Sequence, residues 1–190
     1  MTRALGKNLA FILLLGTSFV LVLSQSAAYA QPEEQVWLTY EDALVGLKVD
    51  YPANWERNDE ENGVLFTPPD AESTLAGFSL SKVNDYLEVF TSAKDYIQTK
   101  IQLDREQQDA LWQEIEVLDA NTTTLGGLPA ERADVGYTMW GGGEFTEVFV
   151  VAINEETNDI YVVTYMGHSS EWDRYEPSYE RMLQSVEVIQ

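Results

Sequence analysis

Residues 147–166 read EVFVVAINEETNDIYVVTYM. Two apolar runs, 147–153 and 160–166, flank six polar residues. In the first run Phe149, Val151 and Ile153 fall on one side and Val148, Val150 and Ala152 on the other, because side chains alternate along a strand. A strand apolar on both faces must be covered on both faces. A polar link this short cannot make a parallel crossover, which needs a dozen or more residues, so the pair is antiparallel. A central antiparallel sheet with a layer on each side is therefore expected.

Working outward, Trp172, Tyr175, Tyr179, Met182 and Val186 keep helical spacing. Pro177 is tolerated at a first helical position, so a short turn over 170–175, a helix over 176–184 and a closing strand in SVEVI are expected. Upstream, the three glycines 141–143 suit a hairpin loop. Before them, Ala133, Val135 and Tyr137 alternate on a strand opened by Pro129. WQEIEVLDANTTTL, 112–125, predicts a long strand, and Gly126-Gly127 a turn. Ser92 and Asp95 form a capping box ahead of a helix carrying Ala93, Tyr96, Ile97 and Ile101, running to Gln108. Strands are expected over 75–83 and 64–67, with NDEENG, 58–63, as the loop before the latter. VGLKVDYPANWE, 45–56, predicts a core strand stopped by Pro52, which cannot donate to a ladder. About seven or eight strands and two helices make the fold class α+β: an α/β/α sandwich with a central, mostly antiparallel sheet and helices on both faces.

The first thirty residues differ in kind. Arg3 and Lys7 precede an apolar run, Leu9 to Leu23, and Ala28-Tyr29-Ala30 follows as an A-x-A cleavage pattern. The reading is a signal peptide over 1–30, a short polar leader over 31–36 and one domain over 37–190; the alternative is an uncleaved N-terminal anchor. Export is expected, to the cell surface, periplasm or thylakoid lumen depending on the host, with no membrane span left after cleavage. The net charge is −21, and losing Arg3 and Lys7 takes it to −23. Such a surface repels nucleic acid and attracts basic proteins and divalent cations, or serves solubility alone. Without cysteine there are no disulfides.

Chemistry is sparse. GHSSE, 167–171, begins like a nucleophile elbow, but Glu171 replaces the final glycine and the chain's one histidine, His168, sits inside the motif. No catalytic residue is assigned. His168 is expected to end a strand, with Ser169 or Ser170 capping the next turn. With no cysteine and one histidine, a metal site would be built of carboxylates, which suit hard cations. Asp59, Glu60 and Glu61 are the low-affinity calcium candidates; Asn154, Glu155, Glu156 and Asp159 form a second acidic loop. Neither has the EF-hand pattern, and solvated acids are the alternative for both. Trp140 with Gly141, Gly142 and Gly143 is the candidate partner-binding tip; the alternative is a tryptophan tucked against the sheet end. Asn121-Thr122-Thr123 is a glycosylation sequon.

YEDALVGLKVDYPANWE (40–56), TTTLGGLPAER (122–132) and the closing MLQSVEVI (182–189) together resemble the PsbP-like domain family. That family includes the extrinsic photosystem II protein of oxygenic phototrophs and many exported prokaryotic relatives. Its fold class also includes a nuclear-transport protein that binds the GTPase Ran. The resemblance spans residues 37–189. It implies an α/β/α sandwich and a binding or assembly module without a common catalytic motif, with some members implicated in calcium and chloride retention. The short leader and the single histidine depart from the plant protein, so the resemblance carries the fold and not the photosystem role. The expected function is an exported, non-enzymatic, monomeric module that recognises a protein partner or small ligand, without a cofactor. The alternatives are a low-affinity calcium-binding or ion-retention domain and a carboxylate-based hydrolase.

Overall fold

The hairpin at 147–166 stands near the middle of the structure, a computed structural model that describes residues 35–71, 75–83, 90–106 and 111–189. The expected signal peptide and residues 31–34 of the leader lie outside these. The elements in chain order are β1 (Trp37–Asp42), β2 (Leu47–Pro52), β3 (Glu56–Glu60), β4 (Gly63–Thr67), β5 (Gly77–Val83), α1 (Ala93–Glu106), β6 (Trp112–Leu125), β7 (Leu128–Met139), β8 (Glu144–Asn154), β9 (Asp159–His168), α2 (Trp172–Ser185) and β10 (Glu187–Val188).

Strands β8 and β9 pair antiparallel, with Val150 opposite Val163 and Ile153 opposite Ile160. Asn158 closes the link between them at φ +60, a left-handed conformation that asparagine tolerates. Both faces of β8 are buried. Phe149 and Val151 share one apolar cluster with Ile97 and Ile101 of α1. Val148, Val150 and Ala152 share another with Tyr179 and Met182 of α2. The strands run β3-β4-β5-β9-β8-β7-β6, all antiparallel.

The single central sheet that was expected is in fact accompanied by a second. Strands β1, β2 and β10 form their own three-stranded sheet. The strand read at 45–51 belongs there, with Leu47, Val49 and Tyr51 turned into the cluster that contains α2. The Asp50 N–H donates to Ser185 Oγ at 2.9 Å, tying β2 to the end of α2.

Two boundaries also differ. Residues 58–60 are strand and not loop: β3 pairs with β4 through Glu60 opposite Gly63, leaving a two-residue turn at Glu61 and Asn62. Every side chain of β3 is exposed, so this edge strand carries no apolar alternation to read. At the C-terminus one helix spans Trp172–Ser185 with Pro177 inside it. Pro177 forfeits the hydrogen bond to the Asp173 carbonyl, a defect of about 3 kcal/mol. Burying Tyr175, Tyr179 and Met182 on one helix face returns roughly 1.5–3 kcal/mol per large side chain, so the helix continues through the proline.

At α1 the capping box forms in a shifted version. Ser92 Oγ accepts the Asp95 N–H at 3.1 Å, while the Asp95 carboxylate reaches back to the Thr91 N–H at 2.9 Å. The helix is described to Glu106; its expected end at Gln108 lies outside the described residues. No helix among the described residues is long and apolar enough to cross a membrane.

Candidate functional site: the β7–β8 tip and the β6 edge

Between β7 and β8 the chain reverses over residues 140–143. Met139 N–H donates to the Gly143 carbonyl at 2.7 Å, and Gly142 N–H to the Met139 carbonyl at 3.1 Å. Gly141 and Gly142 take φ of +106 and +97, values that side-chain-bearing residues rarely adopt. The tip thus needs glycine for backbone conformation, and the space around both positions is open.

Trp140 stands on this tip with 60% of its surface exposed, and Leu111 beside it is 55% exposed. Their backbones are joined, Trp140 N–H donating to the Leu111 carbonyl at 3.3 Å. Beneath lies an aromatic floor: Trp112 packs on Tyr137 with centroids 4.8 Å apart and on Phe145 at 5.9 Å. Two exposed apolar side chains therefore stand together, adjoining that aromatic cluster in the chain.

Strand β6 adjoins the tip and forms one edge of the large sheet. Among the described residues no strand pairs with its outer side. Glu114 lies opposite Thr138, which lies opposite Glu144; Glu116 lies opposite Gly136, which lies opposite Thr146. The pairing slips between Val117 and Asp119. Leu118 occupies the slip, 56% exposed, and lies against Gly136, where an added Cβ would sit 3.4 Å from Leu118 Cδ2. Glu114, Glu116, Leu118 and Glu144 line a shallow concavity of about 270 Å³. None of the ion pairs among the described residues includes these glutamates.

The other expected positions are dispersed. Asp59 is engaged by Arg57 Nε at 3.0 Å; Glu60 follows it on the opposite side of β3, and Glu61 lies in the turn. In the second acidic loop Asn154 Oδ1 accepts the Glu156 N–H at 3.0 Å, and Asp159 pairs with Lys82 at 2.9 Å. Among the described residues no three acidic or histidine side chains converge as a metal cage. This loop borders an open cleft of about 890 Å³, which Thr91, Lys94, Thr122 and Glu131 also line. Asn121 is exposed on β6 and donates to Asp119 at 2.9 Å.

His168 does end β9, and Ser170 folds back onto it. The Ser170 N–H points at His168 Nδ1 from 3.2 Å and Ser170 Oγ lies 2.7 Å from the same atom. The N–H makes that nitrogen an acceptor. The His–Ser contact is thus a local turn, exposed, and among the described residues no carboxylate is bonded to the imidazole to orient it as a base. The residue heading α2 is Glu171, without a side-chain cap, so neither serine caps the helix as expected.

One group escaped the sequence reading. Glu147 lies on the α1 side of β8, and burial pushes its carboxyl up to about 7, against the pull of Lys100 and a hydrogen bond from Tyr137. The signal was present: Glu147 is the one acid in a run that is otherwise apolar on both faces.

No protein-family model matches the chain. No curated protein matches its sequence. Several solved structures are similar in fold. Cyanobacterial PsbP (CyanoP) from Synechocystis superposes with a TM-score of 0.62 at 14% identity, over 82% of this chain and 94% of that one. The Ran-binding protein Mog1p of Saccharomyces cerevisiae gives 0.53 at 9% identity, over 83% and 97%. A protein of unknown function from Pseudomonas aeruginosa, described as a putative regulator, gives 0.51 at 14% identity, over 78% and 94%. At such identities the likeness is one of fold: the domain has the PsbP-like α+β fold, with antiparallel sheets and two helices among the described residues.

Proposed function

We propose that this chain is an exported, non-enzymatic binding module that captures a protein partner at the β7–β8 tip. The observation that carries this reading is Trp140, exposed on a glycine-shaped turn and joined through its backbone to the exposed Leu111. Tryptophan is enriched among residues that dominate interface energies, and a preorganised anchor loses little entropy on binding. The large acidic surface suits a basic partner. The layering we infer places α1 over one face of the large sheet, and α2 with the small sheet over the other. Both leave the tip uncovered. Export rests on the residues 1–30. Mog1p, a structure of similar fold, is named for binding Ran, which agrees with a protein-binding role for this architecture here.

A photo-crosslinking amino acid at position 140 tests the reading, with a second at position 59 on the far sheet edge. In extracts of the source cells, position 140 should give one discrete crosslinked protein that position 59 does not. Substituting Leu111 by Ser should remove it while the unfolding midpoint stays unchanged. Identical crosslink patterns from both positions would overturn the proposal. A crosslink only to a second copy of the chain would reassign the tip to self-association.

A further inference from the structure

We infer that the outer edge of β6 accepts an extended basic segment of the partner as an additional strand. The inference rests on the binding-module reading and gives the partner a chemistry.

The edge is unusual in three ways. It is fourteen residues long, against a common strand length of about five or six, and no described strand pairs with its outer side. Glu114 and Glu116 project from one face, in the row that continues through Thr138 to Glu144. Val117, 40% exposed, belongs to the other face, whereas Leu118, at the slip, lies over Gly136 on the face of the acids. An incoming strand therefore meets Glu114 and Glu116, with Leu118 beyond them, on one side and Val117 on the other. Alternating Lys or Arg with Val or Ile matches that pattern at the two-residue period of a strand.

A second copy of this chain fits badly. Pairing β6 with β6 in parallel register, or antiparallel about Ile115, sets acid beside acid at Glu114 and Glu116, and like charges across a ladder are destabilising. Charge thus separates the two occupants: a basic strand is attracted where a copy is repelled. The opposite edge, β3, is a poorer platform. It has five residues and no apolar side chain, and its Arg57 is already engaged with Asp59. Backbone pairing with side-chain pockets of alternating character is an established way for sheets to take up peptides.

The probe is a synthetic peptide of about ten residues alternating Lys and Val, followed by fluorescence anisotropy against the folded domain. It should bind at low salt. Methylating alternate backbone nitrogens, which removes ladder donors but no charge, should weaken it about tenfold or more. The double substitution Glu114→Lys and Glu116→Lys should do the same, in line with lost opposite-charge pairs. Glu56→Lys with Glu60→Lys on β3 should leave binding unchanged. Equal binding of the methylated peptide would overturn the inference, because attraction to an acidic surface would then account for everything. Equal binding of an alternating Glu-Val peptide would overturn it too. If the position-140 crosslink persists while the Lys-Val peptide fails to bind, the edge is refuted and the tip stands. If the peptide binds through Glu114 and Glu116 but position 140 captures nothing, the edge stands and the tip is refuted.

Discussion

Tyr137 donates its hydroxyl proton to Asp104, Oη to Oδ2 at 3.1 Å, bridging β7 and α1. Lys100 holds the same carboxylate, with Nζ 2.6 and 2.7 Å from its two oxygens. Glu147 also accepts a hydrogen bond from Tyr137. The phenol has one proton to give. Asp104 and Glu147 both draw on it, and this hydroxyl, like Lys100, favours the ionised form of Glu147. Burial outweighs both and favours a protonated Glu147.

A pH dependence follows. The Glu147 carboxyl is raised from 4.5 to about 7 in the folded protein. A raised acid contributes stability that is fully present below the unfolded value, near 4.5, and is lost as pH rises through the folded one. The gap corresponds to roughly 3 kcal/mol between pH 4 and pH 8. Urea unfolding across that window should show the loss in the wild type. Glu147→Gln, neutral throughout, should show a flatter profile, and the difference between the two separates this group from general charge repulsion. Parallel profiles would contradict the account.

A second network joins β7 to α2. Arg132 donates to Asp134 through Nε at 2.8 Å, to Glu180 through Nη1 at 2.8 Å and to Tyr165 through Nη2 at 3.0 Å. Tyr165 passes its proton to Glu180 at 2.6 Å. Arg132→Met keeps much of the aliphatic stem but leaves two half-buried carboxylates without their cation, Glu180 retaining only the Tyr165 hydroxyl. A destabilisation of about 2 kcal/mol is expected, below the 3–5 typical of fully buried pairs because these groups are partly wet. Arg132→Lys should recover only part of it, since an ammonium cannot reproduce the planar fork. Denaturant midpoints with unchanged m-values would establish both effects.

Two glycines should respond differently to alanine. At Gly63 a Cβ would sit 2.8 Å from Ser81 Cα and press on the Leu80 carbonyl, both backbone of the paired strand β5. Gly63→Ala should cost about 1–3 kcal/mol as β4 and β5 separate. At Gly142 the space is empty and only φ +97 opposes the side chain, so about 1 kcal/mol is expected. Thermal unfolding of the two variants should rank them in that order.

How much of this was legible in the sequence depended on whether burial left a pattern. Residues 147–166 announced a doubly covered strand because both faces were apolar, and the helix at Ala93–Glu106 announced itself through Ser92 and Ile97. Strand β3 did not, because an edge strand exposed on all sides carries no alternation. The small sheet was hidden for a related reason: Leu47, Val49 and Tyr51 alternate in the same way whichever sheet they join. At the tip, Gly141 and Gly142 signalled a turn, but a turn signal does not say whether the neighbouring Trp140 faces water. The β6 edge was read as a strand; that nothing covers its outer side is a property of topology.

Pro177 was expected to start a helix and instead interrupts one, and its replacement tests why the helix persists. It lies exposed in the second turn of α2, so it contributes little packing. Pro177→Ala would restore an N–H directed at the Asp173 carbonyl and remove the ring's clash there, effects worth about 3 kcal/mol in a helix interior. Against this, alanine frees the unfolded chain, at a cost of about 0.4–1 kcal/mol. Net stabilisation of roughly 2 kcal/mol is expected, read as a rise in the urea midpoint with far-UV helicity retained or increased. A loss of stability would mean that the proline sets the path of the chain from β9 into α2. In that case Tyr175 and Tyr179 would owe their burial to it, and to more than the helix face they share.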